Sequence, residues 1–331
     1  MTAFDPLWVP LITHYDQSPQ PRLDRARTED HLRHITPQVR QYLVAGTTGD
    51  GWEMSDRVLA DWLDFAQTSR VLTPAHKLLF GAFGTTTEAV IERARAIERA
   101  VEAGPLAATY AGLTLCAPVS ADAGASDDGQ AEIADHFRRI LSATTSPVAI
   151  YQLPQVVHCE IAPRTFAEIA GSTSRVVLFK DTSGADAVVR SAADTGNARL
   201  LRGAEGDYAA HLKPKGAYDG WLLSTANGFA GPLRAIADRA AGGDWEAAAA
   251  ESEALTVLVE ALFAAAEGLP SGNLFSNANR AVDHIFAYGA RWRAAPARLV
   301  SGDELPESFL SRIADLLQGA GFDTAQGYRR R

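Results

Sequence analysis

Val148-Ala149-Ile150-Tyr151-Gln152, an amphipathic stretch over residues 163–170, and then Val176-Val177-Leu178-Phe179-Lys180 form the passage on which the fold turns. Each apolar run is short, and the stretch between them has helical periodicity, so the passage reads as strand, helix, strand. Strands joined by a helical crossover run parallel. Both runs end on a residue with chemistry, Tyr151 and Lys180.

Working outward, the same alternation recurs along the chain. It predicts strands over 7–13, 41–45, 77–83, 112–118, 148–152, 176–180, 199–203 and 220–224. The helices that follow them are expected over 28–39, from an N-cap at Ser55, and over 87–103, 130–143, 163–170, 185–193, 207–212 and 232–241. Eight such units predict an α/β fold, a (β/α)8 TIM barrel; a doubly wound sheet fits the pattern alone as well. From about Trp245 the strand signals stop and Ala/Glu/Leu-rich helical segments take over. The expected division is a barrel over 1–241 and a C-terminal helical extension over 242–331. The Gly/Asp/Ser-rich loop over 120–129 reads as the most mobile segment.

Composition bounds the function. The chain has 331 residues, 47% hydrophobic and 21% charged, as in an ordinary globular protein. A net charge of -9 argues against nucleic acid as a partner, which needs concentrated Lys and Arg. The one basic cluster, Arg329-Arg330-Arg331, reads as a solvated tail. No run approaches the ~20 apolar residues of a membrane span, and Met1-Thr2-Ala3-Phe4-Asp5-Pro6 has no leader pattern. Only Cys116 and Cys159 are present, in apolar contexts that suit free thiols, so the expected location is the cytoplasm.

The lysines are few: Lys77, Lys180, Lys213 and Lys215. Arginine stays protonated, whereas a desolvated lysine can become a nucleophilic amine. On a parallel barrel the functional face lies at the C-terminal ends of the strands, where Lys180 and Tyr151 fall on adjacent units. Taken alone, Lys180 reads more readily as a solvated or Asp181-paired strand end, and Tyr151 as a half-buried phenol. After the second strand, Gly46-Thr47-Thr48-Gly49-Asp50-Gly51 offers hydroxyls and backbone amides that can cradle a carboxylate; its plain reading is a turn.

Together, Gly46-Thr47-Thr48-Gly49-Asp50, Tyr151-Gln152-Leu153-Pro154 and Phe179-Lys180-Asp181-Thr182-Ser183-Gly184 resemble the dihydrodipicolinate synthase/N-acetylneuraminate lyase family of class I aldolase type. Val9-Pro10-Leu11-Ile12-Thr13 and Ser224-Thr225-Ala226-Asn227 add to the resemblance, which runs from about residue 7 to about residue 290. It implies that Lys180 forms a Schiff base with pyruvate or a 2-oxo-3-deoxy sugar acid and that Tyr151 moves protons. It also implies that Thr47, Thr48 and Gly49 hold the substrate carboxylate, without metal or organic cofactor, in a homo-oligomer, dimer or tetramer. Gln152, His158, Ser183 and Ser224 are candidates to meet the rest of the substrate.

The chain also departs from the dihydrodipicolinate synthases of that family. Their paired tyrosines after the fourth strand are replaced by Ala117-Pro118-Val119-Ser120, and the region of their carboxylate-binding arginine reads Gln155-Val156-Val157-His158. Gly51 stands where a hydroxyl residue is frequent and is expected to leave room beside the carboxylate site. The implied activity is therefore an aldolase or dehydratase other than dihydrodipicolinate synthase itself. Two alternatives stand beside it. A metal-dependent aldolase could use His31 and His34, which share a helix face. A non-catalytic 2-oxo acid or sugar-acid binder on the same barrel would need neither relay tyrosine nor arginine.

Overall fold

The computed structural model describes residues 4–120, 126–191 and 193–329. The centre of the 120–129 loop, residues 1–3, Ala192, Arg330 and Arg331 lie outside them. The strands are β1 (Leu7–Pro10), β2 (Gln41–Val44), β3 (Lys77–Gly81), β4 (Tyr110–Cys116), β5 (Val148–Gln152), β6 (Val176–Asp181), β7 (Arg199–Arg202) and β8 (Gly220–Leu222). They close into a barrel in chain order, and β1 returns to β8 through the parallel pairs Leu7↔Trp221 and Trp8↔Leu222. The doubly wound alternative is thereby excluded.

The helices between the strands are α1 (Arg25–Ile35), α2 (Asp56–Thr68), α3 (Thr87–Glu102), α4 (Asp127–Ala143), α5 (Pro154–Val157), α6 (Pro163–Ser172) and α7 (Ala187–Arg190). Four of them start where a side chain supplies the missing acceptor: Asp24, Ser55, Thr86 and Ser126 each accept the amide three residues on. After β8 come α8 (Ala226–Ala241), α9 (Trp245–Ala266), α10 (Leu274–Tyr288) and α11 (Glu307–Gly319).

Beyond end shifts of a few residues, as at α1 and α4, three expected helices differ from the observed ones. The 185–193 helix shrinks to the single turn α7, bounded by a left-handed Asp186 (φ 56°) before it and an extended Ser191 (ψ 159°) after it. The 207–212 helix is only a 3₁₀ turn, Ala209–His211, after a left-handed Asp207. The 232–241 helix begins earlier, at Ala226. A kink at Phe229 starts a new helical run, so Pro232 lies near the beginning of that run, where a proline is tolerated.

Side-chain alternation separates two cores. Trp8, Leu43, Leu79, Ala149, Leu178, Leu201 and Leu222 point into the barrel and fill its interior; the much larger second cluster lies between strands and helices. Two positions further along the same faces stand Tyr151, Lys180, Gly203 and Ser224. The parity that packs the interior therefore aims these residues at the barrel mouth. Asn227 fastens the β8–β1 seam, donating to Pro10 O at 2.8 Å and accepting from Ile12 N at 3.1 Å.

Candidate active site

At the C-terminal mouth of the barrel lies a cavity of 220 Å3 lined by Thr47, Thr48, Tyr151, Lys180 and Ser224, among others. Tyr151 and Lys180 are direct partners in the β5–β6 register, and the lysine Nζ stands 3.9 Å from the centroid of the phenol ring. Lys180 is only 4% exposed, yet it borders the cavity. Burial lowers its pKa from 10.5 to about 7, although the neighbouring Cys116 and Glu205 act in the opposite direction. A substantial neutral fraction at neutral pH is what an attacking amine needs. Burial likewise holds the Tyr151 phenol protonated, well above its ordinary value; Cys116 adds to this, while the Thr47 and Thr182 hydroxyls oppose it.

Space for the lysine is cut by a glycine. A Cβ on Gly203 would stand 2.6 Å from Lys180 Cε and 2.5 Å from Thr182 Cγ2, so this position lets the amine lie along the top of β7. Gly203 N also donates to Asp181 O at 2.6 Å, extending the β6–β7 ladder beyond the strand end.

Thr47 and Thr48 open a 3₁₀ turn, Thr47–Gly49. The turn's first bond is Gly49 N to Gly46 O at 3.0 Å, so the Thr47 and Thr48 amides precede it at the cavity wall. Trp52 Nε1 donates to Thr47 Oγ1 at 3.2 Å, which leaves the threonine's own proton to be given elsewhere. The turn is held from below by Asp50, 1% exposed, which accepts from Arg280 (2.6 Å), Ser276 (2.6 Å) and Tyr15 (2.9 Å). Asn273 Nδ2 donates to Thr47 O at 3.1 Å, so α10 grips the turn twice.

Not every candidate reaches the cavity. Gly49 packs against the β1 side, where a Cβ would stand 2.4 Å from Leu11 O, and its carbonyl accepts from Thr13 Oγ1 at 2.7 Å. It shapes the turn without lining the pocket. Gln152 has the opposite parity to Tyr151; its carboxamide accepts from Ile161 N at 2.9 Å and braces the following loop. Ser183 turns back on Asp181 at 2.7 Å, and His158 is an exposed left-handed residue ending α5. Ser224 does line the cavity. Gly51 opens no room: a Cβ there would stand 1.9 Å from Ala45 O, so close backbone packing is what the glycine permits.

Glu205 is the polar lining residue that strand-end reasoning passed over. It follows the Leu200-Leu201-Arg202 run and accepts from Ser224 Oγ (2.6 Å), Thr225 N (3.0 Å) and Tyr208 Oη (3.2 Å). Its place after an apolar run was the available signal. Phe263 and Phe275, from α9 and α10, also line the mouth and carry no such signal.

The histidine pair of α1 separates. His34 stacks on Tyr328 at 4.2 Å, while His31 meets His14 and Asp283, their ligand-type atoms within 4.8 Å of one another. Arg27 already pairs with the Asp283 carboxylate and supplies the cation that this cluster balances.

Residues 127–273 match the family model for the dihydrodipicolinate synthetase family. The chain is 28% identical over 281 residues to the 4-hydroxy-tetrahydrodipicolinate synthase of Synechococcus sp. (strain CC9605), covering 81% of this chain and 84% of that one. Among solved structures it resembles YagE of E. coli K12, a prophage protein of the dihydrodipicolinic acid synthase family determined with pyruvate. The TM-score is 0.74 at 18% identity, over 96% of this chain and 99% of that one. The KD(P)GA of T. tenax superposes with a TM-score of 0.70 at 21% identity, over the same shares of the two chains. With its closed barrel, its helical C-terminus and this run of matches, the chain is similar to the dihydrodipicolinate synthetase family, in sequence most clearly over residues 127–273 and in fold along nearly its whole length.

Proposed function

We propose that the chain is a class I lyase in which Lys180 forms an imine with a 2-oxo acid, pyruvate or a longer acid sharing its head group. The observation that carries this reading is a buried amine with pKa about 7, 3.9 Å from the centroid of a phenol ring, at the edge of a cavity. The Thr47 and Thr48 hydroxyls and amides hold the carboxylate and so place the keto carbon against Lys180 Nζ. Attack gives a carbinolamine; loss of water, with Tyr151 handing a proton to the departing hydroxyl, gives the imine. The protonated imine then acts as an electron sink: removal of a proton from the neighbouring carbon, or cleavage of a carbon–carbon bond there, leaves an enamine.

The segment 117–120 contributes no phenol, and residues 155–158 contribute no guanidinium. Those differences favour a reaction other than dihydrodipicolinate synthesis. A 2-oxo-3-deoxy sugar acid presents the same head group as pyruvate, so the head-group machinery serves either. Borohydride reduction in the presence of pyruvate should add the mass of the reduced adduct to the peptide carrying Lys180. An unlabelled Lys180 would defeat the reading, and ligand binding without trapping or turnover would leave a non-catalytic binder.

A further inference from the structure

Beyond the head group, the cavity has a one-sided chemistry. Phe263 and Phe275 meet edge to face at 5.3 Å and 87°, and Leu153 and Val156 add aliphatic surface from the β5 side. The polar groups on the same rim are occupied by one another. Glu205 takes three protein donors on its two oxygens. Gln155 donates to Thr182 O at 2.7 Å, and Thr182 Oγ1 donates to Gln152 O at 2.7 Å. Among the described residues, Lys180 is the one cationic side chain that lines the cavity. A phosphate or a second carboxylate would therefore find no cationic partner beyond Lys180, and a hydroxylated chain would have to compete with hydrogen bonds already made. At 220 Å3 the cavity is also smaller than the ~300–1,000 Å3 of drug-sized sites.

We propose that the outer half of this site takes a short apolar aldehyde, branched aliphatic or single-ring aromatic, as the carbon–carbon bond partner of pyruvate. The inference rests on the imine reading of Lys180 and selects, within it, against the polyhydroxylated sugar-acid tail. Lys180 and pyruvate form the imine with loss of one water; loss of a C3 proton gives the enamine. The enamine carbon attacks the aldehyde carbonyl, whose oxygen takes up a proton. Water then hydrolyses the iminium, releasing a 4-hydroxy-2-oxo acid and restoring the amine. The sum is one pyruvate and one aldehyde joined without oxidant or reductant, and the reverse direction is the cleavage of that acid.

The test compares kcat/KM for benzaldehyde and 3-methylbutanal with that for glyceraldehyde, at fixed pyruvate, by mass spectrometry of the hydroxy-oxo acids. An apolar preference of about tenfold or more is expected, because differences in apolar contact are worth roughly 10–200-fold. Phe275→Ala and the milder Phe263→Leu should narrow that ratio, and by about tenfold for the first. Pyruvate trapping on Lys180, run on each variant, reads the head-group site separately. Successful trapping with equal or better use of glyceraldehyde, or with no use of either apolar aldehyde, overturns the apolar assignment alone. Failure of trapping in the unaltered protein removes the imine reading and this inference with it.

Discussion

Lys180 carries the cost of its own burial. Its pKa falls from 10.5 to about 7 because the folded barrel penalises the charge. The unfolded chain therefore holds a proton that the native protein has lost between about pH 7 and 10.5. Stability from this group consequently rises with pH across that window, and the full penalty applies below it. At about 1.4 kcal/mol per unit, the full penalty is on the order of 5 kcal/mol as an upper bound. Lys180→Met should thus abolish trapping yet raise the urea midpoint at pH 7, with the gain shrinking towards pH 10. A variant less stable than the parent at pH 7 would contradict this account. The lysine was legible as a strand-end residue in a chain poor in lysine. What the sequence could not display is the pairing that places it over Tyr151, since that depends on two strands closing in register. Gln152 faces away from the mouth for the same reason: adjacent residues on a strand face opposite sides, and only Tyr151 shares the parity of Ala149.

At the scale of elements, the strands were readable because each is an apolar run fenced by turn-formers, and β5 agrees with expectation at both ends. The short α7 and the 3₁₀ turn after β7 were not, because left-handed Asp186 and Asp207 leave only a weak trace in a sequence. Phe263 and Phe275 were invisible as site residues, since helices α9 and α10 bring them to the mouth from far downstream. The contact between α10 and the Thr47–Gly49 turn has a measurable consequence. Asp50 joins them through Arg280 and Ser276, all of them buried. Asp50→Ala would strand the Arg280 guanidinium in the interior, and losing one partner of such a pair costs about 3–5 kcal/mol. We expect a loss of that order in chemical denaturation. The KM for pyruvate should rise as the turn loosens, while Lys180 can still be trapped at saturating pyruvate. An unchanged KM would separate the turn from carboxylate binding.

Across the whole molecule, neutral imidazoles are built into the core. His14 and His31 are buried between α1, the β1 loop and α10, and burial holds both below the ordinary 6.5, with Arg27 acting in the same direction. Asp283 opposes this for His31 but is itself kept low; burial alone would raise it, and Arg27 overrides that effect. His136, on α4, is lowered to about 4 chiefly by burial; its ring lies 2.9 Å from Thr87 Oγ1 and 3.2 Å from Cys116 O. For each of these histidines the unfolded state takes up its proton first as pH falls through 6.5, so stability must drop on acidification. The slope is about 1.4 kcal/mol per pH unit for every imidazole still neutral in the native state. The depressed Asp283 adds a loss of the same sign at lower pH. Urea midpoints measured from pH 7 to 4.5 should therefore decline steadily, and His136→Gln, which can keep both hydrogen bonds, should remove about one proton from that slope. A flat profile would mean that these rings accept protons inside the fold, which the packing around Arg27 and the α4–β4 contact does not permit without movement.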